Sequence, residues 1–368
     1  MKRIILSGGG TGGHIYPAVS VAEALKKRFG EDVEILFVGA EGKMEMTLIP
    51  SLGYNIKGLK IVGLQRRFTW QNFALPYYLL RSLNQARRII KEFKPDVVAG
   101  FGGYASAPIV YVAQKMGVPT VIQEQNSYAG LVNKIVGGRS KKVCVAYDGM
   151  DRFFDSSKLV YTGNPLRSAF GNGNKIDRNE AFAHYGLKEG LPTILVVGGS
   201  LGTRTLNNMM KSWIITLGGE APVQVVWQTG RYYEKEMREF FANYPTKNIT
   251  LVPFIDRMDY AYEIADVVIS RSGACTVSEL CLAKKPTLFV PSPNVAEDHQ
   301  TKNAMALVNK EAAMMVRDAD AADCGISTAL KMVSDEALLA KLAKNIGKLA
   351  TPDAAERVAD EIVNLIKE

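Results

Sequence analysis

Ile4-Ile5-Leu6-Ser7-Gly8-Gly9-Gly10-Thr11-Gly12-Gly13-His14 opens the chain with an apolar run that breaks into glycines and ends on a histidine. The run reads as a buried strand, and the segment after it as a helix start. Gly8 to Gly13 satisfies the spacing G-x-G-x-x-G. Glycines in such a turn let backbone N–H groups approach a phosphate, and the helix N-terminus favours its negative charge. A bare tight turn without ligand is the competing reading. The same opening recurs at Ile194-Leu195-Val196-Val197, which runs into Gly198-Gly199-Ser200-Leu201-Gly202. Two such openings in 368 residues predict two α/β domains, each a doubly wound, Rossmann-like parallel sheet, with a ligand cleft between them.

The remaining apolar runs fit that pattern. In the first half, strands are expected at 3–7, 33–38, 96–100, 119–122 and 142–146, with helices over 18–29 and 78–93. In the second half, strands are expected at 193–197, 223–228, 249–252, 266–270, 286–290 and 312–316. The joint falls near Gly163–Arg167. The segment from Thr351 reads as one helix with Pro352 near its first position and Asp353 in its first turn. Because it follows the second series, it is placed back on the first domain. The expected domains are 1–164 plus 351–368, and 165–350.

Composition narrows the class. The formal net charge is +8, which favours an anionic partner. The four cysteines form no C-x-x-C pair, and no two of the three histidines share ligand spacing, so neither a disulfide framework nor a metal site is expected. The N-terminal apolar run is too short for a signal peptide, and no uncharged stretch is long enough to span a membrane. No basic stripe or RNA-binding motif points to nucleic acid.

Five elements bear on chemistry. His14 ends the first turn, where a near-neutral imidazole suits a general base toward a sugar hydroxyl; a histidine that caps the helix or contacts phosphate is the alternative. A third turn, Ser270-Arg271-Ser272-Gly273-Ala274, precedes a helix bearing Thr276 and Glu279 on one face. It can seat a pyrophosphate, with Glu279 accepting from ribose hydroxyls. From spacing alone, a solvated Glu279 reads equally well. Glu124 follows the strand at 119–122, at the end that faces ligands in such sheets. Asp318-Ala319-Asp320 matches the D-x-D pattern of metal-dependent transferases but sits where aspartates cap helices. Finally, Arg66, Arg67, Phe68, Trp70 and Phe73 mix aromatic and cationic side chains, which suits a contact with anionic lipid heads; an ordinary surface with a few packed aromatics is the competing reading.

The chain resembles the MurG family of bacterial N-acetylglucosaminyltransferases from end to end. The resemblance rests on Gly9-Gly10-Thr11-Gly12-Gly13-His14, Pro95-Asp96-Val97-Val98, Gly102-Gly103-Tyr104, Glu124-Gln125-Asn126, Gly163-Asn164-Pro165-Leu166-Arg167, Gly198-Gly199-Ser200, Phe254-Ile255-Asp256, Arg271-Ser272-Gly273-Ala274 and Thr276-Val277-Ser278-Glu279. It implies a GT-B fold with the acceptor in the first domain and the donor mainly in the second. It implies inverting transfer of N-acetylglucosamine from its UDP ester to the C4 hydroxyl of the N-acetylmuramoyl unit of lipid I, giving lipid II for peptidoglycan. The sugar nucleotide is then a substrate, and neither cofactor nor metal is implied.

The implied UDP-N-acetylglucosamine contacts are Thr11, Gly12, Gly13, Asn126, Arg167, Ser200, Ile255, Ala274, Cys275, Thr276, Val277, Ser278, Glu279 and Gln300; Asn303 shares the sugar-reading stretch with Gln300, and Tyr104 is a further substrate contact. His14 is the implied base, with Glu124 as alternative. The implied location is the cytoplasmic face of the bacterial membrane, held peripherally, with proteins of wall synthesis and division as partners. Two positions depart from the pattern: Cys275 replaces an aliphatic residue, and Gln123 replaces a histidine before Glu124. The rival readings are another GT-B enzyme (a glycolipid synthase or a UDP-N-acetylglucosamine 2-epimerase), a nicotinamide-dependent oxidoreductase and a non-catalytic lipid-surface adaptor. The oxidoreductase reading lacks its ribose-binding acid, since Glu41 falls too late.

Overall fold

The computed structural model describes residues 1–61, 75–166, 176–199 and 201–367. The chain forms two compact units, Met1–Ser168 with Thr351–Glu368, and Ala169–Ala350.

The first unit holds seven strands: β1 (Lys2–Ser7), β2 (Val33–Ala40), β3 (Asn55–Leu59), β4 (Val97–Gly100), β5 (Thr120–Glu124), β6 (Lys142–Val145) and β7 (Leu159–Tyr161). They are ordered β3-β2-β1-β4-β5-β6-β7, and every pairing is parallel. The two-residue period of a strand puts Ile4 and Leu6 on one face, with Ile35, Phe37, Val97 and Ala99. Ile5 falls on the other, with Leu36, Val38 and Val98. Both faces are apolar, so both need helices. The helix Gly12–Phe29 and the C-terminal helix Ala354–Lys367 cover the first through Val19, Leu25, Val358 and Ile362. The helices Leu75–Phe93 and Ser106–Lys115 cover the second through Ile89, Ile90, Ile109 and Val110. Each such side chain contributes about 1.5–3 kcal/mol by leaving water.

The second unit repeats the plan with β8 (Thr193–Val197), β9 (Glu220–Gln228), β10 (Lys247–Val252), β11 (Val267–Ser270), β12 (Thr287–Phe289) and β13 (Met314–Met315), ordered β10-β9-β8-β11-β12-β13 and all parallel. Its core centres on Trp227, fully buried, whose Nε1–H donates to Asn207 Oδ1 at 3.0 Å.

The expected elements are present with shifted ends, and two strands, β3 and β7, were not anticipated. The first helix starts at Gly12, not Ala18, and carries Pro17 inside it. The C-terminal helix starts at Ala354, leaving Pro352 and Asp353 just ahead of it; the Asp353 carboxylate accepts from Arg357 Nε at 2.7 Å. In each sheet the connections reverse direction once, between β1 and β4 and between β8 and β11. Loops diverge at such a switch point, and the crevice beyond the strand C-termini is where ligands bind.

Candidate active site

At the switch point of the first unit, the turn after β1 meets the turn after β4. Gly102 and Gly103 have φ of +83° and +75°, a region that L side chains avoid. A Cβ on Gly103 would lie 2.3 Å from Gly9 O, and one on Gly102 3.0 Å from His14 Cδ2. The two glycines thus let the second turn close on the imidazole. His14 Nδ1 lies 3.2 Å from Gly9 O and 3.1 Å from Thr11 Oγ1. A carbonyl oxygen only accepts, so Nδ1 carries the proton and donates. That leaves the lone pair on Nε2, the state a base needs. Gly12 and Gly13 form the first turn of the following helix.

Tyr104 packs against Gly10, where a Cβ would sit 3.2 Å from its Cε1. Burial raises the phenol above its ordinary pKa, and the charge of Glu45 adds to the effect. Glu45 itself lies wholly buried beneath the turn, accepting from Gly10 N at 3.2 Å and Ala40 N at 3.0 Å. Sequence reading weighed Glu41 and passed over Glu45. Glu41 stands at the surface, 4.0 Å from Lys60 Nζ.

Glu124, at the end of β5, is also buried, and its two oxygens are fully engaged. Oε1 accepts from Asn126 N and Nδ2 at 3.0 and 3.2 Å; Oε2 accepts from Gly130 N at 2.9 Å and Asn133 Nδ2 at 2.8 Å. Four donors on one carboxylate hold the 126–133 segment in place, an arrangement that suits orienting Asn126 better than taking a proton. Gln123 joins a buried amide ring: its Nε2 donates to Asn164 Oδ1 at 3.0 Å, and Asn164 Nδ2 donates to Gln125 O at 3.0 Å.

The second unit has its own switch point. Gly198 N donates to Gln228 Oε1 at 3.0 Å, and Gln228 Nε2 donates to Gly199 O at 2.8 Å, so a neutral amide underlies this turn. Gly202 and Gly230 pack backbone to backbone, with φ of +80° and +84°; a Cβ on Gly202 would lie 2.1 Å from Thr229 O. After β11, Gly273 caps the helix Ala274–Ala283. Ala274, Cys275 and Thr276 form its first turn, Val277 faces the core, Ser278 Oγ donates to Ala274 O at 3.1 Å, and Glu279 is half-buried. Tyr262 Oη–H donates to Glu279 Oε2 at 3.4 Å. Burial, and then the Glu279 charge, push that phenol well above its ordinary pKa.

Ser272 Oγ donates to Gln300 O at 2.8 Å, and Gln300 Oε1 accepts from Ser292 N at 2.9 Å. Asn303 is buried and donates to Ser272 O at 3.2 Å. Ile255 is buried just beyond β10.

Asp318 and Asp320 are occupied by arginines. Arg271 Nη1 reaches Asp318 Oδ1 at 2.5 Å and Val290 O at 2.7 Å, and Arg317 Nε reaches Asp320 Oδ2 at 2.6 Å. Neither aspartate makes the side-chain helix cap expected of it. Among the described residues no group of three or more His, Cys, Asp or Glu side chains is placed to hold a metal ion. Arg167, Ser200 and the segment with Arg66, Arg67, Phe68, Trp70 and Phe73 lie outside the described residues.

Sequence reading missed Glu45, Gln228 and Tyr262. Each lies far along the chain from the group it supports, and no motif marks it.

Residues 4–145 match the glycosyltransferase family 28 N-terminal domain, and residues 193–358 its C-terminal domain. The chain is 51% identical over 364 residues to the UDP-N-acetylglucosamine--N-acetylmuramyl-(pentapeptide) pyrophosphoryl-undecaprenol N-acetylglucosamine transferase of Parabacteroides distasonis, covering 99% of this chain and 98% of the relative. This chain belongs to the MurG family. A Porphyromonas gingivalis relative of the same description is 49% identical over 368 residues, covering 99% and 96%. The crystal structure of Acinetobacter baumannii MurG superposes with a TM-score of 0.78 at 29% identity, covering 99% of this chain and 100% of that one. Membership of the MurG family displaces the oxidoreductase, epimerase and adaptor readings. The glycine turn that matches a dinucleotide fingerprint belongs here to a sugar transferase.

Proposed function

We infer that the chain is a UDP-N-acetylglucosamine-dependent hexosyltransferase that adds N-acetylglucosamine to lipid I, giving lipid II for peptidoglycan. One observation carries the chemistry: His14 Nδ1 lies 3.2 Å from the Gly9 carbonyl oxygen at the switch point of the first sheet, a contact that in the neutral ring makes Nδ1 the donor and Nε2 the acceptor. In the proposed step, the C4 hydroxyl oxygen of the N-acetylmuramoyl unit attacks C1 of the donor sugar. Its proton passes to His14 Nε2, and the C1–O bond to the diphosphate breaks with inversion, UDP leaving with the electron pair. A positioned base of this kind contributes roughly 10²–10⁴-fold.

The acceptor is assigned to the first unit, with Tyr104 and His14; Thr11, Gly12, Gly13 and Asn126, the last held by Glu124, are assigned to the UDP-N-acetylglucosamine donor. The donor is otherwise assigned to the second. There the Ala274–Ser278 helix start and the turn after β8 face the diphosphate, Glu279 takes the ribose hydroxyls and Ile255 lies at the uracil. Gln300 and Asn303 shape the sugar end. Arg167 and Ser200 remain part of this assignment on sequence grounds, as does Cys275.

The same reading seats the chain peripherally on the cytoplasmic face of the membrane. No helix among the described residues is long and apolar enough to cross a membrane. Tyr77, Leu79 and Leu80 are 60%, 50% and 64% exposed at the start of the helix Leu75–Phe93, directly after the aromatic and basic segment, and Arg81 stands beside them. Each cation near an anionic lipid surface adds about 1 kcal/mol.

The test is transfer of labelled N-acetylglucosamine from its UDP ester to a lipid I analogue in the presence of EDTA. The expected outcome is a β-1,4-linked lipid product formed at an undiminished rate. Absence of any lipid-linked label, with or without divalent ions, would overturn the reading.

A further inference from the structure

We propose that Glu45 is a positioning residue for the transfer, acting on His14 through the Gly9–Gly10 peptide group. The proposal rests on His14 being the base. Gly9 C=O and Gly10 N–H belong to one peptide unit. Its oxygen accepts from His14 Nδ1 at 3.2 Å, and its N–H donates to Glu45 Oε2 at 3.2 Å. The three groups form a continuous chain of donors and acceptors: imidazole N–H, peptide, carboxylate. A base oriented by a third group, commonly a carboxylate in direct contact, is the general logic of activated catalytic residues. Here one peptide bond is interposed.

The backbone is cut to make room for this carboxylate. A Cβ on Gly9 would lie 2.2 Å from Glu45 Oε1, and one on Gly39 2.5 Å from Glu45 Cγ. Glu45 is 0% exposed, and among the described residues no lysine or arginine pairs with it. Burying a carboxylate without a cation is costly. Its two amide donors, Gly10 N and Ala40 N, offset part of that cost. Ala40 alone would account for a structural cap on the turn after β2. The Gly10 bond is what aims the charge at the catalytic turn. A peptide whose N–H is held by a carboxylate is polarised, so its carbonyl accepts more strongly, as in other hydrogen-bonded chains. That stabilises the imidazolium that forms when Nε2 takes the acceptor's proton. The other titratable side chains at the turn are Tyr104 against Gly10 and Tyr16 against Gly12; the facing Gly102, Gly103 and Gln125 are neutral.

The test is Glu45→Gln, which keeps the shape and removes the charge. His14 is followed by ¹⁵N imidazole NMR, alongside the pH dependence of kcat. The expected result is a titration midpoint of His14 about one pH unit lower, a tenfold loss of proton affinity. The Gly9 carbonyl still selects Nδ1–H, and kcat should fall about tenfold while the donor KM stays within about twofold. A folded Glu45→Gln protein with the parent's His14 midpoint would overturn the proposal. If that variant does not fold, the parent protein decides. The Glu45 Cδ and Gly10 amide ¹⁵N shifts should each inflect at the His14 midpoint, and flat shifts overturn it. Should His14→Ala retain full turnover, the base assignment falls, while the NMR linkage between Glu45 and His14 stands or falls separately.

Discussion

The glycine turns after β1 and β8 stand at equivalent switch points of two sheets that share their order over six strands, yet what lies beneath them differs in charge. Under the first is the Glu45 carboxylate, holding Gly10 N. Under the second is the Gln228 amide, which accepts from Gly198 N and donates to Gly199 O. One architecture has thus been given two electrostatic characters. A phosphate charge about 6 Å from a carboxylate is opposed by about 3 kcal/mol at an effective dielectric of 20. On the proposed site assignment, the first turn would favour an imidazole that becomes cationic during reaction, and the second a ligand that is already anionic. Matching glycine patterns conceal this division, because glycines specify how closely a backbone can approach and say nothing of the charge behind it.

The largest expected effect tests the first half of that contrast. His14→Ala should lower kcat by about 10²–10⁴ and leave UDP affinity within about twofold. Single-turnover transfer and calorimetric UDP titration measure the two separately. If UDP affinity collapsed along with turnover, the first turn would be a donor phosphate seat as well, and the contrast would be broken.

A smaller effect tests the second half. Gln228→Glu places beneath the turn after β8 the charge found beneath the turn after β1. It also removes the donor to Gly199 O, a hydrogen bond of 2.8 Å. UDP should bind about a hundredfold more weakly, near 3 kcal/mol, the scale of the repulsion just given. Thermal unfolding would establish that the variant is folded. An unchanged dissociation constant would mean that the diphosphate does not sense this turn.

Why the contrast escaped the sequence is a matter of distance along the chain. The apolar runs Ile4–Leu6 and Ile194–Val197 announce buried strands, and the glycines after them announce turns, because both signals are local. Strand β3 escaped because Asn55-Ile56-Lys57-Gly58-Leu59 is a polar edge strand exposed at alternate positions. Strand β7 is three residues long. The first helix begins at Gly12, ahead of the expected Ala18, and carries Pro17 inside it. His14 and Glu279 could be singled out by their place after a strand. Glu45 could not: it lies 35 residues beyond Gly10 and becomes its partner only because β1 and β2 pair in register, Ser7 opposite Val38. The resemblance to a known family supplied the substrate assignments that no spacing contained, but it said nothing of Glu45 or Gln228.

The smallest effect probes how the second unit holds its acid. Tyr262 is almost wholly buried, and its hydroxyl has Glu279 Oε2 as partner at 3.4 Å. Tyr262→Phe keeps the ring and removes only the donor, so the fold should survive while Glu279 loses one restraint. UDP affinity should fall about two- to tenfold, the 0.5–1.5 kcal/mol of a single hydrogen bond. A purely structural tyrosine would weaken UDP and its 2′,3′-dideoxy analogue alike. A tyrosine that aims Glu279 at the ribose should weaken UDP and spare the analogue, which has no hydroxyls for the acid to hold. Competitive binding of the two ligands to parent and variant reads that difference directly. Equal losses would detach Glu279 from the ribose and leave the second turn, with its neutral amide, as the principal determinant of nucleotide binding.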